Sequence, residues 1–214
     1  MQPLLNVITG IASRFFMNRW YPYLTVTIFV LQVSCNGHRA DRKEAAKDSN
    51  EARFEQKNNR VVAATLERDA AFAVDAAVAG MQAVRLGRVA AGGASEDIVR
   101  KLGDSMARQY SAAHATLTHI AAAKNISLPA APGRAMALVW DEMRTLKGAT
   151  LDKRYLKQVA ATQQKDIDLF KRYISAGRDS DLLHWAIMRL PVMEQDRAYI
   201  KLVDSMARQR QRTY

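Results

Sequence analysis

Beyond residue 58 the apolar positions of this chain recur every three or four residues, the interval that lines one face of an α-helix. The punctuation between these runs sets the expected elements. A first helix is predicted over residues 61–91 and stops at Gly92-Gly93. Ser95 reads as the N-cap of a second helix, with Glu96 and Asp97 in its first turn, where acidic side chains favour a helix start. That helix ends near Lys124, and "NISLPAAPG" is a loop, with two prolines and a glycine. A short helix follows over residues 135–146, closed by Lys147-Gly148. The next runs over residues 150–176 and stops at Gly177. Asp179 or Ser180 caps another short helix. Pro191 breaks it and sits in the first turn of the last, which reaches about Arg210. Helices joined by short loops predict an all-α antiparallel bundle over residues 59–210, with 211–214 as a tail.

The first 58 residues follow a different pattern. "WYPYLTVTIFVLQVSC", residues 20–35, is apolar but shorter than the roughly 20 residues a bilayer-spanning helix needs. Arg14 and Arg19 precede it and small residues end it, so residues 1–35 read as an export signal. The apolar run "LLNVITGIA" before Arg14 does not suit a basic signal start, whereas a chain beginning at Met17 would carry a conventional one. Cys35, at the end of the apolar run after the small Ser34, resembles the lipidation site of a bacterial lipoprotein, although Gln32 replaces the usual leucine. Lipidation at Cys35, ordinary cleavage and an uncleaved anchor are the alternatives; the first would give the chain a membrane partner through its anchor, and Asn36 then favours the outer membrane. Residues 36–58 are polar with mixed charge, bury almost nothing and read as a linker or a frayed helix.

Composition narrows the function classes. Cys35 is the single cysteine, so no intrachain disulfide forms and a cysteine-histidine zinc cluster is excluded. By charge alone, +11 suits a polyanion, whether cell-wall polymer, lipopolysaccharide, membrane surface or nucleic acid, or it serves solubility alone. Nucleic acid is not an expected partner, and neither a cofactor nor a small-molecule substrate is suggested.

One segment occurs twice, as "KLGDSMARQ" at 101–109 and "KLVDSMARQ" at 201–209. In the first, Leu102 and Met106 lie one turn apart and face the core, while Asp104 and Arg108 pair on the wet face. The second is expected to do the same with Leu202, Met206, Asp204 and Arg208. The flanks do not match, so a helix-packing segment used twice is a better reading than a duplicated domain.

Four blocks, "DAAFAVDAAVAGMQAVRLGRVA", "LGDSMARQYSAAHATLTHIAAAKNISLP", "LKGATLDKRYLKQVAATQQKDIDLF" and "SDLLHWAIMRLPVMEQDRAYI", resemble in order and spacing domain of unknown function family 4142 over about residues 66–205. The resemblance implies a ferritin-like four-helix bundle exported by bacteria to the periplasm or outer membrane, with no established activity. The chain departs from the family pattern. A motif like M-V-x-D-H is here Met106-Ala107-Arg108-Gln109-Tyr110, an Asp-His pair is Thr162-Gln163, and the histidine after Leu-Pro is Asp196. Acidic residues of the first block are Ala83 and Arg85. The family's ligand-type histidines are therefore missing, and a metal role does not carry over.

The same positions stand out by spacing alone. Tyr110 lies four after Met106, Gln163 four after Val159, and Asp196 three after Met193, each on an apolar stripe. Two outcomes are open: Tyr110, Gln163 and Asp196 form a small buried network, with Arg85 offsetting the charge, or the stripe edges are wet and the three never meet. A di-iron site would need Glu-x-x-His on two helices, and none of the seven glutamates has a histidine three residues later. His114 and His119 are five apart and do not share a helix face, His184 stands alone, and His38 falls in the linker. No nucleophile elbow, P-loop or dinucleotide fingerprint occurs. Trp140, Trp185, Tyr155, Phe170 and Tyr173 read as core, and "ARQRQRTY" as a solvated basic end. Three functions follow: a non-enzymatic binding or structural protein of the envelope, a polyanion binder, or a ferritin-like metal or redox protein with an atypical site.

Overall fold

The computed structural model describes residues 41–57 and 59–212, all within one unit of the chain. The proposed export signal, Cys35, Met17 and His38 lie outside the described residues. Among those described the fold is all-helical: α1 (Arg42–Phe54), α2 (Arg60–Gly93), α3 (Asp97–Ala123), α4 (Arg134–Thr145), α5 (Gly148–Ala176) and α6 (Ser180–Arg212). The four long helices pack in the cycle α2–α3–α6–α5, each against two others.

Two apolar clusters show the helix directions. α2 passes from a first cluster (Ala70, Phe72, Ala77) to a second (Leu86, Ala90), and α6 does likewise from Leu182 to Val203. In contrast, α3 and α5 run from the second to the first. Every neighbouring pair in the cycle is thus antiparallel. α3 ends and α5 begins in different clusters, so their connection runs the length of the helices rather than forming a short loop. Its second half is α4, which packs on α2 and α5.

α2 touches four other helices, and its alanine content explains how. Ala70, Ala73, Ala76, Ala77 and Ala90 are buried, leaving no side-chain bulk to hold neighbours off. At Gly87 and Gly103 the α2 and α3 backbones come so close that a Cβ on either glycine would lie about 2.5–2.6 Å from the other's carbonyl oxygen.

Several expectations are corrected. Residues 42–54, expected as linker or frayed helix, form α1 docked on α2. Asn50 and Ser127 exchange hydrogen bonds, the Asn50 Nδ2 donating to the Ser127 carbonyl at 3.0 Å and the Ser127 amide to Asn50 Oδ1 at 2.7 Å. Phe54 is buried in the first cluster, and Lys43 pairs with Asp75 at 2.8 Å. Three buried anchors in a polar stretch, Ala46, Asn50 and Phe54, were enough, because α2 offers a second apolar face. Asp41 ties this layer together: its carboxylate accepts the Lys43 amide of α1 and the Arg134 amide of α4, each at 3.0 Å.

Ser95 is not the N-cap of α3. The cap position is Glu96, and the Ser95 amide and hydroxyl and the Glu96 amide all donate to Asp152, a fully buried carboxylate of α5. Pro191 does not end a helix either; α6 is continuous through it. Pro191 is exposed, and the carbonyl it deprives of a partner belongs to Ile187, itself 52% exposed, where water can serve. Leu182 and Ala186 before the proline and Met193 after it are buried in one cluster, which holds both halves in line. Asp179 caps α6 as expected, accepting from the Asp181 and Leu182 amides.

The repeated segment is not used the same way twice. Leu102 and Met106 are buried at 2% each, but Leu202 is 54% exposed, and Val203 and Ala207 face the core instead. Only the outward pairs agree: Asp104–Arg108 and Asp204–Arg208 are both formed.

Candidate functional site

The interior changes from one apolar cluster to the other at mid-height, between Ala77 and Leu86 on α2, Tyr110 and Leu117 on α3, Val159 and Ile167 on α5, and Met193 and Ile200 on α6. The side chains at that level are polar on all four helices: Gln82, Tyr110 with His114, Gln163 with Asp166, and Arg189 with Asp196. Tyr110, Gln163 and Asp196 are only 4%, 2% and 9% exposed, so their stripes are not wet at these positions.

Tyr110 Oη donates to Gln163 Oε1 at 2.8 Å, and Gln163 Nε2 donates to the Met193 carbonyl at 2.9 Å. This chain joins α3, α5 and α6 through two neutral hydrogen bonds. Asp196 does not bond Tyr110 or Gln163 directly. It reaches them through Arg189, whose guanidinium lies 4.4 Å from the Tyr110 ring centroid and whose Nη2 is 3.8 Å from Asp196 Oδ2. Arg189, missed by the sequence reading, takes the charge-offsetting role expected of Arg85. The available signal was spacing: Arg189 is seven residues before Asp196 on the same helix, hence on the same face. Arg85 instead lies over Trp140 at 5.5 Å, with Arg144 also against that ring at 4.8 Å, away from mid-height. Tyr155, Phe170 and Tyr173 are core residues; Trp140 and Trp185 pack on its edge.

Electrostatics follow from burial. The Tyr110 hydroxyl is pushed up to about 12, chiefly by loss of water, with the Arg189 charge opposing and Asp196 adding to the rise. Tyr155, whose hydroxyl meets Met106 Sδ at 3.5 Å, is raised for the same reason. Asp196 is raised by burial, while Arg189 and a hydrogen bond from Gln109 hold it down. Asp166, half-buried one turn beyond Gln163, is pushed up to about 7 by burial. His114 is lowered by burial, and its Nδ1 has no protein partner. His119 and His184 are exposed.

Tyr110, Gln163 and Arg189 themselves offer no proton-transfer group at neutral pH. Tyr110 keeps its proton at neutral pH and serves as a donor, Gln163 is neutral, and the one cation faces a carboxylate. They also do not fit a di-metal centre: the Arg189 guanidinium already sits against Asp196, where it would repel a metal ion. Among the described residues no group of three or more His, Cys, Asp or Glu is placed to hold one. What the layer does physically is fix the register of α3, α5 and α6, because sliding any helix by one turn would bury an unsatisfied amide or hydroxyl.

No curated protein and no solved structure matches the chain. A family model described as Domain of unknown function (DUF4142) matches residues 55–202, from just after α1 into the last turns of α6. With more than half of its length matched, the chain belongs to the DUF4142 family.

Proposed function

We propose that this protein is an exported component of the bacterial envelope whose ferritin-like four-helix bundle acts by binding or as a structural element, and not as an enzyme. One observation carries the reading. At mid-height, where a ferritin-like bundle would place a metal centre, Tyr110 is engaged by Gln163, Gln163 by the Met193 carbonyl, and the Arg189 cation stands beside Asp196, while Gln82, His114 and Asp196 keep buried polar atoms without a hydrogen-bond partner. The closed antiparallel cycle of four long helices and the lengthwise connection through α4 support the ferritin-like assignment. The charged and apolar pattern of residues 1–35 supports export, with Cys35 as the lipidated residue. Mass spectrometry of the native protein together with its metal content tests both parts. Cleavage before Cys35 with a diacylglycerol mass, and no stoichiometric iron, manganese or zinc, are the expected results. An intact precursor in the cytoplasm refutes export, and a stoichiometric transition metal refutes the non-metal role in favour of an atypical redox site.

The net charge of +11 favours a second reading, an envelope polyanion binder. It requires affinity for lipopolysaccharide or cell-wall polymer that falls steeply with salt; salt-insensitive binding, or none, removes it.

A further inference from the structure

The seam between α5 and α6 can be followed along the outside of the bundle. Lys171 of α5 pairs with Glu194 of α6 at 2.7 Å, and further along Arg197 donates to Gln164. The two helices run antiparallel. Beyond that contact the surface rows continue as Lys157 and Lys153 on α5 and as Lys201, Asp204 and Arg208 on α6, at intervals of three, four or seven that keep each row on one face. Here the acids run out. Asp204 is the one acidic residue of these two rows past Gln164, and Arg208 takes both of its oxygens, at 3.0 and 2.9 Å. Lys153, Lys157 and Lys201 are exposed and have no acidic partner among the described residues, and Arg197 meets only the neutral Gln164. On α3, by contrast, exposed charges one turn apart are opposite in sign, as in Asp97–Lys101 and Asp104–Arg108. Lys153–Lys157 and Arg197–Lys201 set like charge on like at the same interval, which repels. Ala160, exposed and level with Lys201, puts no bulk between the two rows.

We infer that this α5–α6 face is a docking surface for the carboxylate-bearing polymer of the cell wall. The step deepens the polyanion-binding reading by giving it a surface and a partner. Three of the four unanswered cations are lysines, compact charges on flexible stems with no fixed fork. That chemistry suits anionic groups spaced along a mobile chain better than one oriented ligand, and the local field adds to the net charge of +11 in drawing a polyanion. Position selects the wall over the membrane. α1 packs on α2, and α6 lies diagonally across the helix cycle from α2. On the reading that Cys35 carries a lipid, on which this choice rests, the chain from Cys35 to Asp41 reaches at most about 20 Å. The anchoring membrane is then held to the α1 side, and the α5–α6 face looks away from it.

Pelleting of the purified full chain with isolated wall sacculi, over rising salt, tests the face. The bound fraction should be high at low salt and fall steeply as salt rises, because exposed charges are screened. Lys153→Glu with Lys157→Glu should weaken binding by about tenfold or more, and Lys201→Glu in part. Lys57→Glu with Arg60→Glu makes the same change of net charge at the other end of the bundle and should leave binding near the parental level. All of these side chains are exposed, so helical circular dichroism and melting should not change. Absence of pelleting overturns the proposal. So does equal weakening by the two double variants, or capture on lipopolysaccharide vesicles in preference to sacculi. Binding of the purified chain is read independently of the mass at Cys35, so a failure here is distinguishable from a failure of the export reading.

Discussion

Replacing Gly103 with alanine should destabilise the protein, although alanine is the better helix former. In an exposed helix the change would gain about 1 kcal/mol. Here the added methyl would lie 2.6 Å from the Gly87 carbonyl oxygen, 2.9 Å from the Ala91 amide nitrogen and 2.9 Å from Ala90 Cβ. None of these atoms can be moved by a side-chain rotamer, so α2 and α3 must part by several tenths of an ångström along a contact that also holds Gly87 and Ala107. Overpacking of that kind costs roughly 2–3 kcal/mol and reverses the sign, leaving a net loss of about 1–2 kcal/mol. Thermal melts followed by circular dichroism should show Tm lower by roughly 3–8 °C, and urea titration a lower midpoint at unchanged slope. Gly103→Val, which makes the two nine-residue segments identical, should lose more, because its extra methyls meet the same wall. A Gly103→Ala protein as stable as the parent, or more so, would refute the close approach of α2 and α3.

The polar layer, the α1 dock and the half-buried carboxylate of Asp166 each give a further expectation. Gln163→Leu strands the Tyr110 hydroxyl and should cost about 1–3 kcal/mol in urea unfolding, whereas adding Tyr110→Phe should recover part of that loss, since no donor is then left unpaired. Asp41→Ala removes a cap from two helices at once and should cost about 1–2 kcal/mol, with faster amide hydrogen exchange in α1 and the first turn of α4. Asp166 sits near 7 in the folded protein, above the ordinary carboxylate range, so the folded state holds more protons than the unfolded one between about pH 4 and 7. Its contribution to stability is therefore lost as pH rises through that window, and Asp166→Asn should flatten the decline seen in urea midpoints across it. An unchanged slope would place Asp166 in water.

The helices were legible because their signals are local. Gly92-Gly93, Gly177 and the prolines of residues 125–133 interrupt the backbone wherever they occur, and Asp179 caps by reaching two and three residues ahead. The candidate polar layer was half legible. Tyr110, Gln163 and Asp196 stand out by lying on apolar stripes, but stripe position cannot say which neighbour answers which group. Arg189 and Arg85 both lie on largely buried faces, and only the packing of α3 against α6 sends one to Tyr110 while α4 draws the other to Trp140.

The misreadings share a cause. Ser95, Pro191 and residues 42–54 were judged by short-range preference, and each was overruled by a contact from far along the chain: Asp152 across 57 residues, the cluster shared by Leu182 and Met193, and Ser127 across 77. The repeated segment makes the division plain. Its nine residues determined by themselves that both copies would be helical, with an aspartate–arginine pair one turn apart on the outside, since those depend on neighbours within four positions. Which face turned inward, Leu102 and Met106 in one copy or Val203 and Ala207 in the other, was decided only by tertiary structure. A helix carries apolar residues on more than one side, and burial is chosen by whichever surface the rest of the chain brings against it.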